Sequence, residues 1–150
     1  MTICLIGKSL TTLVLSKILI NKGIGVDLYY SNNKITKNLS GLTSRTIGLS
    51  NHSIDFLESE KILNRKYCWN IKKINLYKGE SLESFLNFKS DNNKFYMTSY
   101  SKFYKNLETK IKNNKLVKII RKPQHKMIFD LKKRNYEIII ITDQNNFLFK

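Results

Sequence analysis

The first 31 residues constrain the fold most, because they contain an apolar strand, a glycine turn, an apolar helix and a second strand. Residues 3–6 are all apolar and end at Gly7, and apolar residues then recur at helical spacing over 10–20. Gly23 is typical of a residue just past a helix, and residues 26–30 predict the next strand. Such a βαβ unit predicts parallel strands and places a helix N-terminus beside the first turn, where its amides favour an anion such as phosphate.

The remaining pattern predicts an α/β fold, with a Rossmann-like βαβ scaffold, a mixed parallel sheet and an additional small antiparallel β segment. We expect a single domain over residues 1–150, a length that supports a real core. Four isoleucines within 136–141 make that segment the best candidate for a fully buried central strand. The further predicted elements are strands over 45–49, 71–77, 85–88, 95–97, 116–120 and 127–131, a helix capped by Ser50 and a helix capped by Ser101.

The formal charge of +16 raises the question of a nucleic-acid partner. Lysine supplies 23 of the 27 basic residues, and the lysines are scattered from Lys8 to Lys150 without a block of five like charges. A nucleic-acid binder more often shows arginine, a basic stripe with aromatic residues or a known module motif. The pattern therefore favours a solvated basic surface over a nucleic-acid site.

The two cysteines and two histidines carry no spacing typical of a metal site or a disulfide framework, so no metal site is predicted. Cys4 lies in an apolar strand, where a free thiol behaves as a small hydrophobic residue, and a reducing cytoplasm is the expected location. No apolar run approaches the roughly 20 residues of a membrane span. A peripheral contact with the inner membrane through lysine side chains is a further expectation.

A resemblance emerges from two adjacent segments. Residues 43–50 read TSRTIGLS and residues 53–57 read SIDFL. They resemble the pattern D-x-R-x-I-A-L-S followed by S-x-x-F-L of the flavin-dependent ubiquinone-biosynthesis hydroxylases, which belong to the aromatic-ring monooxygenases. Residues 101–111 and 138–146 are similar to a later helix of that family and to its strand that runs into a D-G-x-N-S turn. The similarity spans nearly the whole chain but only the first part of a family member, so the fold is expected to stop before the C-terminal half.

The resemblance implies an FAD cofactor, NAD(P)H as electron donor and hydroxylation of an aromatic, polyprenylated quinone precursor. It implies that Gly7, Ser9 and Thr12 surround the cofactor diphosphate, with Arg45 and Asp143 as further cofactor-binding residues. It assigns no catalytic residue to this chain. Without the rest of a family member, this portion is expected to be inactive by itself.

The chain departs from the dinucleotide fingerprint G-x-G-x-x-G, whose glycines allow a tight turn, close approach of the pyrophosphate and close helix packing. Gly7 keeps the first position, whereas Ser9 and Thr12 occupy the other two. The acidic residue expected at the end of the second strand, which binds ribose hydroxyls, is Tyr30. In the D-G-x-N-S turn, Asp143 matches but Gln144 replaces the glycine.

Three functions therefore stay open. The first is the N-terminal FAD-binding part of an aromatic hydroxylase. The second is a non-catalytic Rossmann-like interaction module that has lost dinucleotide binding and docks onto another chain through the apolar residues 147–149. The third is a basic RNA-binding protein, whose affinity would fall steeply with salt.

Overall fold

The computed structural model describes residues 1–31, 45–79, 83–89 and 95–142. The order of its elements alternates strands and helices at both ends of the chain and places most of the strands in the middle. These elements are β1 (Thr2–Ile6), α1 (Leu10–Asn21), β2 (Gly25–Ser31), β3 (Thr46–Ser50), α2 (Asn51–Ser59), a 3₁₀ turn (Arg65–Tyr67), β4 (Trp69–Ile71), β5 (Lys73–Tyr77), β6 (Ser84–Lys89), β7 (Phe95–Ser99), α3 (Tyr100–Lys112), β8 (Val117–Lys122), α4 (Gln124–Arg134) and β9 (Ile139–Ile141).

The chain divides into two compact units, of which the first comprises residues 1–42 and 104–150. Its four-stranded sheet has the order β8-β2-β1-β9, and every pairing within it is parallel. Thr2 lies opposite Gly25 and Ile6 lies opposite Tyr29, so the βαβ unit predicted at the start of the chain is confirmed. The α/β fold is confirmed with it, while the extent of a single domain stays a prediction.

Alternate residues of β1 and β2 point to opposite faces of this sheet. On one face, Cys4 and Ile6 join Tyr29 in an apolar cluster with Met127 and Leu131 of α4. Burial raises the pKa of Cys4 to about 12, so this thiol is a protonated core group, as the sequence predicts. On the other face Leu5, Leu28 and Leu13 of α1 are fully buried.

A polar network joins α4 to the same face of the sheet. The Tyr29 hydroxyl donates to Asp130 Oδ2 at 2.6 Å, and Lys122 Nζ lies 2.7 Å from Asp130 Oδ1. Arg134 bridges Asp130 Oδ2 at 3.3 Å and Asp27 Oδ2 at 3.1 Å, and the Tyr136 hydroxyl also donates to Asp27. Each carboxylate thus has a cation and a phenol as partners, which offsets the cost of its burial.

The second unit, residues 43–103, contains the antiparallel sheets that the sequence predicts as a small β segment. One sheet has the order β3-β7-β4, and the other is the hairpin of β5 and β6. Ser50 caps α2, as predicted, by accepting from the Ser53 amide, and Ile54 and Leu57 of that helix are buried. The strand predicted over 71–77 is divided, because β4 ends at Ile71 and β5 pairs in a different sheet.

The strand predicted over residues 127–131 is wrong, and the strand predicted over 136–141 is present but shorter and differently placed. Residues 127–131 lie in helix α4, in which Met127 and Leu131 are buried one helical turn apart. The segment 136–141 forms only the short strand β9, which pairs with β1 on one side. Among the described strands β9 is at the sheet edge and Ile139 is 42% exposed, so it is not a buried central strand.

Helix termini differ slightly from the predictions. Ser101 lies inside α3, which begins at Tyr100, and the Ser99 hydroxyl accepts from the Lys102 amide at its start.

Within the described ranges, no helix combines the length and apolarity needed to cross a bilayer.

We predict that Asp130→Asn lowers the free energy of unfolding by about 1–3 kcal/mol at pH 7, because a charged acceptor for Lys122 and Tyr29 is lost. Hydrogen bonds from Lys122 and Tyr29 lower the pKa of Asp130, so its contribution is present above the unfolded pKa of about 4 and lost as pH falls through the folded pKa. The free energies of unfolding of wild type and variant, measured with urea from pH 7 to pH 3, should therefore converge at the acid end.

Asp55→Asn, which removes an exposed carboxylate paired with Arg65, is the control and should cost less than about 1 kcal/mol. An Asp130→Asn deficit that is constant with pH would contradict the assignment.

Candidate functional site

The candidate site is the turn between β1 and α1, at the carboxyl end of the parallel sheet, where ligands bind in folds of this kind. Gly7 is buried and has φ of 138°, a conformation that residues with a Cβ rarely adopt. Its amide donates to the Tyr29 carbonyl at 3.1 Å, which ties the turn to β2. The first glycine of the fingerprint therefore keeps its structural role.

Ser9 is the N-cap of α1. It has extended backbone angles, and its Oγ accepts from the Thr12 amide at 3.2 Å. The first amides of a helix have no partner within the helix, and in dinucleotide-binding folds a phosphate accepts from them. In this chain a side chain satisfies one of those donors internally.

Thr12 is completely buried and belongs to a cluster of three hydroxyl groups with Ser9 and Thr142. Ser9 Oγ lies 2.9 Å from Thr12 Oγ1 and donates to Thr142 Oγ1 at 3.3 Å, and Thr12 Oγ1 is also hydrogen-bonded to Thr142 Oγ1. Thr142 follows β9, and its amide donates to the Ile6 carbonyl at 3.0 Å. The hydroxyl cluster thus links the start of α1 to the end of β9. Thr142 was not foreseen from the sequence, because no local pattern signals a contact across 130 positions.

This geometry tests whether the turn fits the diphosphate of FAD. The two positions that need glycine carry side chains that bond to each other, and the Thr12 amide already has an acceptor. A diphosphate held in the three-glycine manner would have to displace Ser9 Oγ and would meet a side chain where the backbone should be bare. The turn keeps the backbone fold of a dinucleotide site, but its side chains do not allow the close approach of a diphosphate.

The residue expected to hold ribose hydroxyls is also changed. Tyr30 is 4% exposed, and its hydroxyl has no hydrogen-bond partner among the described residues. Lys8 Nζ lies 5.9 Å from the centre of its ring. The nearby acid of β2, Asp27, faces α4 and pairs with Arg134, so it is not available to a ribose at this edge.

The roles of Arg45 and Asp143 as cofactor-binding residues stay predictions. Arg45 belongs to the second unit, where its guanidinium carbon lies 5.8 Å from the centre of the Tyr100 ring and its carbonyl accepts from the Tyr100 amide. Asp143 and the apolar residues 147–149 lie outside the described residues. Across the described part of the chain, no three His, Cys, Asp or Glu side chains are grouped so that they could hold a metal ion.

The fold is similar to that of two solved structures. One is p-nitrophenol 4-monooxygenase PnpA from Pseudomonas putida DLL-E4, with a TM-score of 0.60, 13% identity, and coverage of 80% of this chain and 32% of that chain. The other is a mutant of MHPCO, with a TM-score of 0.60, 14% identity, and coverage of 80% and 31%. This chain therefore spans about a third of the length of these structures. No protein-family model and no curated protein sequence matches the chain. At such low identity the similarity shows a shared fold, which agrees with the resemblance to aromatic-ring monooxygenases.

We predict that Thr12→Val destabilises the protein by about 1–2 kcal/mol, because the shape is kept while Ser9 and Thr142 lose a buried hydrogen-bond partner. Urea unfolding followed by circular dichroism measures the change. Thr11→Val is the matched control, since Thr11 is exposed in the same turn and should change stability by less than about 0.5 kcal/mol. Equal effects of the two substitutions would show that the hydroxyl cluster does not stabilise the turn.

Proposed function

We propose that this chain is the N-terminal cofactor-binding portion of a flavin-dependent aromatic hydroxylase, most similar in sequence pattern to the ubiquinone-biosynthesis hydroxylases. The single observation that carries the proposal is the glycine turn between β1 and α1 at the carboxyl end of a parallel sheet, in a fold shared with a monooxygenase. In such enzymes the flavin supplies the oxygen chemistry, and the protein binds and orients it.

The proposal assigns Gly7, Ser9 and Thr12 to the cofactor side of the sheet, with Arg45 and Asp143 as further contacts. The substrate would be an aromatic quinone precursor with a polyprenyl chain, and the electron donor would be NAD(P)H. We also propose a cytoplasmic location, since both cysteines are free thiols. Because binding sites bury most of a ligand and this chain spans a third of the related structures, we expect the chain alone to bind FAD weakly.

We predict that the wild-type chain binds FAD with a Kd weaker than about 100 µM, which corresponds to about −5.5 kcal/mol. The double variant Ser9→Gly/Thr12→Gly restores the three-glycine pattern and should bind at least about tenfold more tightly. Quenching of flavin fluorescence during titration measures both values. Thr11→Gly controls for the general effect of a glycine in the first turn of α1.

The possible results separate the claims. Sub-micromolar binding by the wild type would contradict the poor fit of the turn. An unchanged affinity of the double variant would show that Ser9 and Thr12 do not limit binding. Failure of both proteins to bind FAD or to be stabilised by it in excess would argue against the proposed function.

A second candidate function is a non-catalytic interaction module, which the β5–β6 hairpin favours. Ile74 lies opposite Phe88 and Leu76 lies opposite Leu86, so these four residues share one face, and the last three are 41–44% exposed. The other face carries asparagine and lysine pairs together with the exposed Phe85. A two-stranded sheet is only marginally stable unless its apolar face is covered. Two such uncharged faces complement each other, so we take a second copy of this chain as the partner.

This candidate predicts dimers that grow with protein concentration in light scattering after size-exclusion chromatography. Leu86→Ser should shift the equilibrium to monomers, whereas Asn87→Ser on the opposite face of the same strand should leave it unchanged. Because the chains carry like net charge, added salt should strengthen the dimer. A wild type that stays monomeric at about millimolar concentration would contradict the candidate.

A further inference from the structure

Helix α4 carries an aromatic side chain on the face that points away from the sheet. Met127 and Leu131 of this helix are buried in the apolar cluster against the sheet. Phe129 is two residues from each of them, which is about half a helical turn, so it lies on the opposite side of the helix. It is 76% exposed, more than any other large hydrophobic side chain among the described residues. Single exposed apolar residues are common, so the surroundings of Phe129 decide what it can bind.

Lysines surround Phe129 on this outer face. Lys126 precedes it by three residues, and Lys132 and Lys133 follow it by three and four, so all of them are its neighbours on the helix surface. The three lysines are exposed, and within the described residues no ion pair includes any of them. One aromatic ring therefore lies at the centre of three positive charges.

No acidic residue of α4 balances these charges on the outer face. Asp130 is the only acid of the helix, and it is turned toward the sheet, where Lys122 and Arg134 pair with it. The next acid along the chain is Glu137, which comes after the helix and lines a cavity together with Lys118 and Arg134. The outer face of α4 is thus electropositive around an apolar centre.

The other helices do not combine these two features. Phe56 of α2 is also exposed, at 49%, but its neighbour four residues on is the acid Glu60. Helix α3 has the exposed lysines Lys102, Lys105 and Lys110, yet none of its large hydrophobic side chains is exposed. Among the described helices, only α4 places lysines around an exposed aromatic ring.

This combination suits the surface of an anionic lipid bilayer. Lipid phosphates attract lysine side chains, and an aromatic ring gains free energy when it enters the boundary between headgroups and acyl chains. The phosphates of a nucleic acid would attract the same lysines, but binding by base stacking uses several aromatic side chains for successive bases. A single ring with three lysines therefore favours a bilayer as the partner.

We propose that the outer face of α4, formed by Lys126, Phe129, Lys132 and Lys133, binds the surface of an anionic lipid bilayer. Phe129 enters the boundary between headgroups and acyl chains, and the three lysines pair with lipid phosphates. The proposal assigns a surface to the peripheral membrane contact expected from the sequence. It is independent of the proposed function, because it uses no residue of the turn between β1 and α1. One ring and three lysines give reversible binding.

The test uses the full-length chain and vesicles of phosphatidylcholine with or without phosphatidylglycerol. Sedimentation of the vesicles measures the bound fraction. We expect binding to be at least about tenfold stronger when the anionic lipid is present. Raising the salt from about 0.1 M to about 1 M shortens the Debye length from about 10 Å to about 3 Å and should weaken that binding.

The lysines are tested together by the triple variant Lys126→Gln/Lys132→Gln/Lys133→Gln. Each lysine near an anionic surface is expected to contribute about fivefold to the affinity, so the triple variant should bind at least about twentyfold more weakly. The melting temperature should stay the same, because the three side chains are exposed.

The matched control removes the same charge from α3, by Lys102→Gln/Lys105→Gln/Lys110→Gln. This helix lies against the other face of the sheet, because its Glu108 acts on Tyr30, whose side chain points away from α4. The control should weaken binding to the anionic vesicles by less than about threefold.

The aromatic ring is tested by two substitutions. Phe129→Ser should weaken binding about tenfold without lowering the melting temperature, whereas Phe56→Ser should leave binding unchanged. Trp69 is the only tryptophan of the chain, so Phe129→Trp in a Trp69→Phe background gives a single fluorescent reporter on α4. Lipids with brominated acyl chains should quench that reporter.

Each outcome supports or overturns the inference. Failure to bind anionic vesicles would overturn it, and so would equal losses in the α3 and α4 lysine variants, which would mean general attraction to a basic surface. Binding that needs the α4 lysines but neither Phe129 nor acyl-chain contact would also overturn it. A single-stranded oligonucleotide that binds with the same dependence would then identify the face as a nucleic-acid site. None of these results changes the FAD titrations, so failure of this inference is distinguishable from failure of the proposed function.

Discussion

The parallel pairing of β1 with both β2 and β9 is the constraint on which the candidate site depends. It places the end of β1 between the ends of its two neighbours, so Gly7, Tyr30 and Thr142 reach the same edge of the sheet. The turn glycine is then tied to β2 by one hydrogen bond, and Thr142 is tied to β1 by another. Loss of either strand pairing would separate Gly7 from Tyr30 or from Thr142 and would disrupt the candidate site.

At that edge the protein's own side chains form hydrogen bonds with groups that a bound ligand would otherwise contact. Ser9 Oγ accepts from a helix amide, and the Thr12 hydroxyl is bonded to Thr142. Such bonds stabilise the free protein, and a ligand that needs the same donor must first break them. The same hydroxyl cluster therefore contributes to folding and opposes the close approach of a diphosphate.

Apolar periodicity and capping residues predict those elements of the fold whose formation depends on neighbouring residues in the sequence. The opening βαβ unit and α2 were predicted because periodicity, Ser50 and Gly23 mark them within a few residues. The strand predicted over residues 127–131 is instead part of helix α4, in which Met127 and Leu131 are four residues apart. A short apolar run fits a strand as well as a helix. Asn135, whose left-handed conformation ends the helix, lies outside that run. The sheet-edge position of β9 and the contacts of Thr142 depend on partners more than 100 positions away, which no short pattern encodes.

The changed glycine pattern alters how a dinucleotide could gain binding energy at this turn. A dinucleotide on three glycines gains much of its affinity from backbone amides at the diphosphate, and Ser9 weakens that contribution here. A diphosphate bound in the three-glycine manner would have to replace the hydrogen bond between Ser9 Oγ and the Thr12 amide, so its binding free energy would be reduced by the loss of that bond.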